Sequence, residues 1–282
     1  MKKLLVLLFV TSLSYSQEFQ GRAYYFSKTI FSADLKEENS ESKKQDPAFE
    51  KALQEALKEA LKEASEKSYL LTFNKSECIY EQEQQLEKPK AASGEMQISV
   101  SISSSEGKKY INAKKKTSSI EDAILGKQFI IVENIEKPDW KLVDDTKKIG
   151  DYTCFKAKLT IPVSDKQKKE YDEFLKKEEI KSSLFKMEEP KEKIITAWYT
   201  PEIPVSFGPN NYWGLPGLIL EINEPETIIL CSKVVLNTKE KATIKVPNSG
   251  IKVSQKEFDA IQKKKYDSMK DENGVIMFKT TN

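Results

Sequence analysis

The stretch Ile194–Asn223, IITAWYTPEIPVSFGPNNYWGLPGLILEIN, combines aromatic residues, prolines and glycines more densely than any other part of the chain. Proline fixes φ and glycine permits positive φ, so this composition predicts one rigid backbone path. Pro216 and Gly217 suit the two central positions of a type II turn, after which Leu218–Ile222 resumes an extended run. The stretch therefore predicts a strand, a stiff loop and a second strand, which the rest of the chain encloses or presents.

This aromatic loop supplies the candidate functional residues, and two roles are open for them. Buried rings and fixed turns can plug the end of a sheet. Rings displayed at the mouth of a curved sheet can instead receive an apolar ligand, a sugar or a peptide segment, and a rigid loop limits the entropy lost on binding. The residues concerned are Trp198, Tyr199, Phe207, Tyr212, Trp213, Gly214, Leu215, Pro216 and Gly217.

Two stretches of the chain resemble the GLPGLI family of bacterial envelope proteins, which is named for a hexapeptide. The first holds the tract Trp198–Pro204, the pair Gly208–Pro209 and the hexapeptide Gly214–Ile219; the second holds Trp140–Leu142 and Lys148–Ala157. The resemblance covers roughly Asp139 to Leu236, with a looser fit at the first strand and around Leu71–Tyr80. It implies a secreted β-rich domain, and it implies no particular activity.

The first sixteen residues follow the order of regions in a secretory signal peptide. Two lysines come after Met1, an apolar run extends over Leu4–Val10, and small and polar residues end at Ser16. The apolar run is too short to span a bilayer. We therefore predict cleavage after Ser16, a periplasmic or secreted mature protein that begins at Gln17, and no transmembrane span once the signal is removed.

The basic residues and the lack of histidine exclude several classes of function. Arg22 is the sole arginine among 46 basic residues, so the planar group that suits phosphates and base edges is nearly missing. Nucleic-acid binding is therefore not expected. The chain has no histidine, which excludes Ser-His and Cys-His catalysis and histidine metal sites within it. We predict neither a cofactor nor a metal site.

Three cysteines, Cys78, Cys154 and Cys231, lie in strand-like runs without the spacing of a zinc or redox motif. An exported protein enters an oxidising compartment, so one disulfide with a spare thiol is possible, and so are three buried free thiols. The pairing stays open. A reactive thiol would need a nearby base or a helix N-terminus, which the sequence does not show.

Residue patterns along the chain predict the main elements. Met96, Ile98, Val100 and Ile102 alternate with polar residues, as in a strand with one buried face. Phe49, Leu53, Leu57 and Leu61 recur every four residues, as in an amphipathic helix, and Ser254 suits the N-cap of a last helix. A turn is predicted at Asp144–Lys147 after a short strand Trp140–Val143, and a further short strand at Ala242–Val246.

Because few helices fall between consecutive strands, antiparallel pairing is favoured over parallel βαβ units. We predict an α+β fold: a single, strongly curved antiparallel sheet, similar to a half-barrel, with a long amphipathic helix and a C-terminal helix packed on it. Residues 17–282 are expected to form one domain, because no linker-like segment divides them, with helical insertions at about 46–67 and about 165–193.

The sequence contains no nucleophile elbow, phosphate-binding loop or metalloprotease helix. A pair of carboxylates would suffice for glycosidase-type chemistry, and Glu202 and Glu221, which flank the aromatic loop, are the candidates. We predict an exported, non-catalytic binding or accessory protein of the bacterial cell envelope. Its partner would be another envelope protein, or an apolar or peptide ligand carried at the aromatic loop 198–217. The alternative is a carboxylate-dependent periplasmic hydrolase.

Overall fold

The computed structural model of the chain describes residues 19–30, 47–83, 107–178, 189–237 and 244–269. These residues form twelve β-strands and three α-helices. In chain order they are β1 (Gln20–Thr29), α1 (Pro47–Ser65), β2 (Glu66–Asn74), β3 (Glu77–Gln82), β4 (Lys109–Asn112), β5 (Thr117–Ile124), β6 (Lys127–Asn134), β7 (Lys141–Ile149), β8 (Tyr152–Ile161), α2 (Asp165–Glu178), β9 (Lys193–Thr200), β10 (Leu218–Asn223), β11 (Thr227–Leu236), β12 (Ile251–Val253) and α3 (Gln255–Asp267).

All twelve strands belong to one sheet, in the order β12-β6-β5-β4-β3-β2-β1-β11-β10-β9-β8-β7. Pairing along this order is antiparallel except between β12 and β6, which are parallel. Strand β1 lies between β2 and β11 and so joins the two halves of the sheet. Most other neighbours are close in sequence, as expected for strands connected by short turns.

Alternating burial along β1 defines the two faces of the sheet. Ala23 and Tyr25 are 0% and 1% exposed, whereas Phe26 between Tyr25 and Ser27 is 41% exposed. Successive side chains of a strand point to opposite faces, so Ala23 and Tyr25 share one face and Phe26 lies on the other. We call the first the core face and the second the outer face.

The prediction of an α+β fold with a purely antiparallel, half-barrel-like sheet is wrong. The described residues are mostly β, the sheet is mixed and is not closed, and the helices are few and short. Within the described ranges, no long amphipathic helix is packed on the sheet as expected. Helix α1 has 19 residues, and among its described side chains only Ala60 is fully buried while Leu53 is exposed. A narrow stripe of leucines between lysines and glutamates buries too little apolar surface to cover a sheet.

Helix α3 does pack on the sheet, as predicted. Phe258 is 3% exposed, and its ring meets that of Phe129 on β6 with centroids 5.5 Å apart in an edge-to-face arrangement. The predicted cap is also present: the Ser254 hydroxyl oxygen accepts a hydrogen bond from Glu257 N, and the Glu257 carboxylate accepts one from Ser254 N. Among the described helices, none is both long and apolar enough to cross a bilayer.

The predicted turn at Asp144–Lys147 is wrong, because β7 continues through these residues. The register of β7 on β8 shifts between Val143 and Thr146, which makes Asp144 and Asp145 a bulge. The turn was predicted because Asp144 and Asp145 are both polar. A bulge can hold two such residues inside a strand, so their polarity does not distinguish a bulge from a turn. Strand β7 lies at one end of the sheet, where such bulges are common.

Several predictions fall on residues outside the described ranges. These are the signal peptide and its cleavage site after Ser16, the strand at Met96–Ser103, residues 179–188 of the insertion predicted at about 165–193, and the first residues of the strand predicted at Ala242–Val246. The described residues 244–246 of that last segment are not part of a strand. Within that insertion, residues 165–178 form helix α2.

Candidate functional site

The aromatic loop predicted at 198–217 consists of the last residues of β9 and the connection from β9 to β10, and it is part of the protein core. Ile203, Val205, Phe207 and Leu215 are each at most 2% exposed, and all four belong to the main hydrophobic cluster. They pack with core-face residues such as Tyr25, whose hydroxyl donates a hydrogen bond to the carbonyl oxygen of Ile219 at 2.7 Å. The loop therefore covers the core face in the place where the sequence predicted helices.

Backbone hydrogen bonds fix the path of the loop. Leu218 N donates to Ile203 O at 3.1 Å, and Ile219 N donates to Phe207 O at 2.9 Å, which tie two parts of the loop to the start of β10. Gly214 N donates to Ser206 O at 2.8 Å beside an antiparallel bridge between Phe207 and Trp213. The loop is thus rigid as predicted, but hydrogen bonds contribute to its rigidity as well as prolines and glycines.

The expected type II turn at Pro216 and Gly217 is wrong, because Gly217 does not have the positive φ that this turn requires. A Cβ atom at Gly217 would lie 2.2 Å from the carbonyl oxygen of Thr200, at the end of β9. Glycine is needed there for close approach of two backbones. The positive φ of the hexapeptide belongs instead to Gly214, at +95°.

The structure brings the nine candidate residues of the loop together, and most of them are buried. The rings of Phe207, Trp198, Tyr199 and Trp213 are 0%, 7%, 6% and 7% exposed. Gly214, Leu215 and Gly217 are buried as well, Tyr212 is half-buried, and Pro216 is exposed. Burial of this kind favours the structural role of the loop over display of its rings to a ligand.

Trp198 has charged neighbours on the outer face. The ammonium groups of Lys147 and Lys156 lie 4.4 Å and 5.2 Å from the centroid of its ring, which places both within cation–π range. Lys147 also donates to both carboxylate oxygens of Glu221, at 2.8 Å and 2.7 Å, and Asn223 Nδ2 donates to one of them at 2.8 Å. The network holds Trp198 in place and covers its ring.

The two candidate catalytic carboxylates have different and separate partners. Glu221 forms the ion pair with Lys147, and its side chain is 13% exposed. Glu202 Oε1 accepts a hydrogen bond from the backbone N–H of Thr153 at 2.8 Å in an exposed position. Each carboxylate thus binds groups of the fold itself, and no contact joins one to the other among the described residues.

The three cysteines are free and buried. Burial raises the pKa of Cys154 to about 11 and the pKa of Cys231 to about 12, and it raises the pKa of Cys78 further. Because the thiolate is the nucleophile and the metal ligand, thiols that stay protonated near neutral pH are inert. The described residues also contain no group of cysteines and carboxylates that could hold a metal ion.

A polar cluster that the sequence did not indicate lies at the tip of the aromatic loop. It consists of Tyr80, Lys109, Asn210 and Glu224, and we call it the tip cluster. Lys109 Nζ donates a hydrogen bond to Asn210 Oδ1, and Asn210 has a φ of +56° at the loop tip. Two tyrosines adjoin the cluster: Tyr69 stacks on Tyr80 with ring centroids 4.8 Å apart, and Tyr212 donates from its hydroxyl to Glu224 Oε1 at 2.9 Å.

Burial and neighbouring charges change the pKa values of two residues of the tip cluster, Lys109 and Tyr80. Burial lowers the pKa of Lys109, and the nearby carboxylates of Glu224 and Asp122 oppose that change. Burial raises the pKa of Tyr80, as does the neighbouring Tyr69, while the Asn210 backbone N–H lowers it and Glu224 raises it. The members come from β3, β4, the loop and the turn before β11. No local pattern could have grouped them.

Comparison with known proteins adds a family match over part of the chain. Residues 140–221 match the sequence model of a family described as "Protein of unknown function (Porph_ging)". The matched segment contains the aromatic loop and most of the region on which the GLPGLI resemblance rests. The match establishes similarity to that family between β7 and β10, and it assigns no activity.

Two solved structures align with much of the chain, and no curated protein matches it. Both are structures of PNGF-II, in the C2 and P21 space groups, with 14% sequence identity. The TM-scores are 0.47 and 0.48, and each alignment covers 88% of this chain. The chain spans 33% and 34% of the length of those two chains, that is, about a third.

Proposed function

We propose that this protein is an exported, non-catalytic binding or accessory protein of the bacterial cell envelope, periplasmic or secreted. Two features of the sequence support the proposal: the resemblance to the GLPGLI family over roughly Asp139 to Leu236, and the signal-like order of residues 1–16, which lie outside the described ranges. The aromatic loop serves this function as the scaffold that holds the sheet in one shape.

The observation that carries a binding role is an apolar patch on the outer face of the sheet. It consists of Phe26 on β1 with Ile228 and Leu230 on β11, which are 41%, 45% and 41% exposed. We call these three residues the outer patch. Phe26 lies directly opposite Leu230, and Ile228 lies opposite Lys28, so the three side chains are neighbours. Grouped apolar side chains on a sheet face mark interaction sites more often than single ones do.

Charged groups border the outer patch, as at the rim of a protein interface. Lys28 Nζ lies 3.6 Å from a carboxylate oxygen of Glu66 on one side. On the other side Leu230 is paired with Glu221, which binds Lys147. An apolar centre with a charged rim suits a protein surface of complementary shape. Because most rings of the aromatic loop are buried, we assign partner binding to the outer patch rather than to the loop.

The hydrolase alternative has no comparable support. General acid–base work requires two carboxylates that face one substrate, with one of them able to give up a proton. Glu221 is bound to an ammonium and to an amide, while Glu202 accepts from the backbone of β8. We therefore propose the non-catalytic function alone.

Removing the outer patch is expected to abolish partner binding without unfolding the protein. The variant is Phe26→Ser with Leu230→Ser, and the matched control is Leu142→Ser with Ile251→Ser, whose apolar residues are 64% and 47% exposed elsewhere on the sheet. Crosslinking in envelope extracts, followed by quantitative mass spectrometry, should recover the partner at least about tenfold less with the patch variant than with the control. Equal recovery by both variants would refute the role of the outer patch.

Export is tested separately from binding. We expect the N-terminal sequence of protein recovered from the periplasm or medium to begin at Gln17, because signal peptidase cleaves after small residues such as Ser16. Replacing Leu7 and Leu8 with charged residues should block export by breaking the apolar run. An intact Met1 on cytoplasmic protein of the parent sequence would contradict the proposal.

A further inference from the structure

Strand β7 ends the sheet, and its free side has no partner within the described part of the chain. It pairs with β8 on one side, and no described turn or loop is hydrogen-bonded to the backbone of its other side. With nine residues it is a long edge strand. Such an edge presents unpaired backbone N–H and C=O groups, to which a strand of another chain can add.

The residues of β7 are complementary to the same residues read in the opposite direction. From Val143 to Ile149 the sequence is VDDTKKI. Two copies that are paired antiparallel about Thr146 place Val143 opposite Ile149, both aspartates opposite the two lysines, and Thr146 opposite its own copy. Pairs of opposite charge, pairs of β-branched residues and pairs of threonine all stabilise neighbouring strands. Seven consecutive residues therefore fit a second copy of the same strand.

One register of the two copies gives this fit. Pairing about Thr146 makes four aspartate–lysine contacts, because each copy contributes two aspartates and two lysines. Moving one strand along the other by one residue leaves two of the four contacts. Moving it by two residues places either Asp145 or Lys147 opposite its own copy, and like charges directly opposite one another are destabilising. The charges therefore specify both the partner and the register.

Two of these charged residues are available to a second copy. Asp144 and Lys148 are exposed, and within the described ranges neither side chain forms an ion pair or a hydrogen bond. Asp145 and Lys147 already form ion pairs with residues of other strands in the same chain. Recognition of the second copy is therefore assigned to Asp144 opposite Lys148, a pair that occurs twice in a symmetric dimer.

We propose that β7 is an interface through which two copies of this protein pair, antiparallel about Thr146, into one continuous sheet. Charges and a bulge on an edge strand usually prevent pairing with foreign strands, and β7 has both, since its register shifts between Val143 and Thr146. Here they restrict the choice of partner. A strand without matching charges leaves these lysines and aspartates unpaired or beside like charges, whereas a second copy of β7 pairs all of them.

Exchanging the charges tests this pairing. The contact is small, so we expect a reversible dimer with a Kd of about 1–100 µM, measured by sedimentation equilibrium of the purified protein up to about 500 µM. Asp144→Lys and Lys148→Asp should each raise Kd at least about tenfold, because like charges then meet at two symmetric places. The double variant restores opposite charges and should return Kd to within about threefold of the parent value. The matched control is Lys158→Asp on β8, an exposed lysine outside the interface, and it should leave Kd unchanged.

A cysteine at the centre of the interface tests the register without changing any charge. Residues directly opposite one another in an antiparallel pair are close enough for two cysteines to form a disulfide. Thr146→Cys should therefore give a covalent dimer under mild oxidation, and the natural cysteines are buried and do not compete. The control is Lys141→Cys at the exposed start of β7, which would lie about 30 Å from its own copy and should stay monomeric.

Several results would overturn the proposal. The parent protein could remain monomeric over the whole concentration range, or the single charge variants could dimerise as strongly as the parent. Failure of the double variant to recover would exclude Asp144 opposite Lys148, and equal crosslinking of Thr146→Cys and Lys141→Cys would exclude pairing about Thr146. Strands β8, β9 and β10 separate β7 from β11, so none of these outcomes bears on partner binding at the outer patch.

Discussion

Replacing Trp213 with alanine is expected to lower the free energy of unfolding by about 3–5 kcal/mol, the range for truncation of a large buried aromatic side chain. Trp213 is 7% exposed in the main core cluster, next to the bridge that it forms with Phe207. Its carbonyl oxygen accepts a hydrogen bond from Trp140 Nε1 at 2.9 Å, so a shift of the loop would also disturb Trp140. Loss of the ring leaves a cavity that the hydrogen-bonded loop cannot readily collapse to fill.

Urea denaturation followed by far-UV circular dichroism measures this effect without relying on tryptophan fluorescence. The control is Tyr266→Ala on α3, where the ring is 39% exposed, and its cost should stay below about 0.5 kcal/mol. A loss for Trp213→Ala no larger than that of the control would mean that the ring is on display. The aromatic loop would then regain its place as a candidate ligand site.

Some strands and one helix were predicted correctly because the residue types within each segment favour that structure. Strands β6 and β11 were predicted from the sequence as Lys127–Asn134 and Thr227–Leu236, and the structure has the same bounds, because both runs are rich in isoleucine and valine. The start of α3 was predicted from its cap residue, Ser254. These signals act over a few residues and do not depend on the rest of the fold.

Where pairing with other strands decides the structure, the residue pattern of a segment alone does not indicate it. Strand β5, TSSIEDAI, is largely polar and was not predicted, and it forms because β4 and β6 pair with its two edges. The parallel pairing of β12 with β6 joins segments more than a hundred residues apart. The predicted fold class was wrong for the same reason. The segment that covers the core face is the aromatic loop, and the helical periodicity of α1 does not show which segment packs there.

For the candidate sites too, the sequence indicated residues that are close along the chain but not the partners that they contact in the fold. The nine candidate residues were recognised together because all of them lie between positions 198 and 217, and only the structure distinguished burial from display. Glu202 and Glu221 were chosen for their place beside the loop, but Lys147 and Thr153, which bind them, come from strands β7 and β8. The tip cluster joins residues of β3, β4, the loop and the turn before β11, so no single run of the sequence could group them.

Replacing Gly217 with alanine is expected to cost about 1–3 kcal/mol or more in the free energy of unfolding, because the added Cβ overlaps backbone atoms. It would lie 2.2 Å from the oxygen and 2.5 Å from the carbonyl carbon of Thr200. Thr200 is fully buried and paired with Leu218 across β9 and β10. Neither strand end can move without opening this pairing. Chemical denaturation of the variant and the parent, under identical conditions, gives the difference directly.

A glycine can be required because its backbone has a positive φ or because another group lies too close for a Cβ atom. Replacing Gly217 with asparagine tests which of the two applies. Asparagine tolerates positive φ, so the type II turn first expected at Gly217 would accept Gly217→Asn with little loss. Close approach to Thr200 predicts that Gly217→Asn is at least as destabilising as Gly217→Ala. The matched control is Gly150→Asn, where φ is +57° and nothing lies within 4 Å of a built Cβ, and its cost should be small. If asparagine is tolerated equally at both positions, a left-handed backbone explains Gly217, and the contact with Thr200 does not.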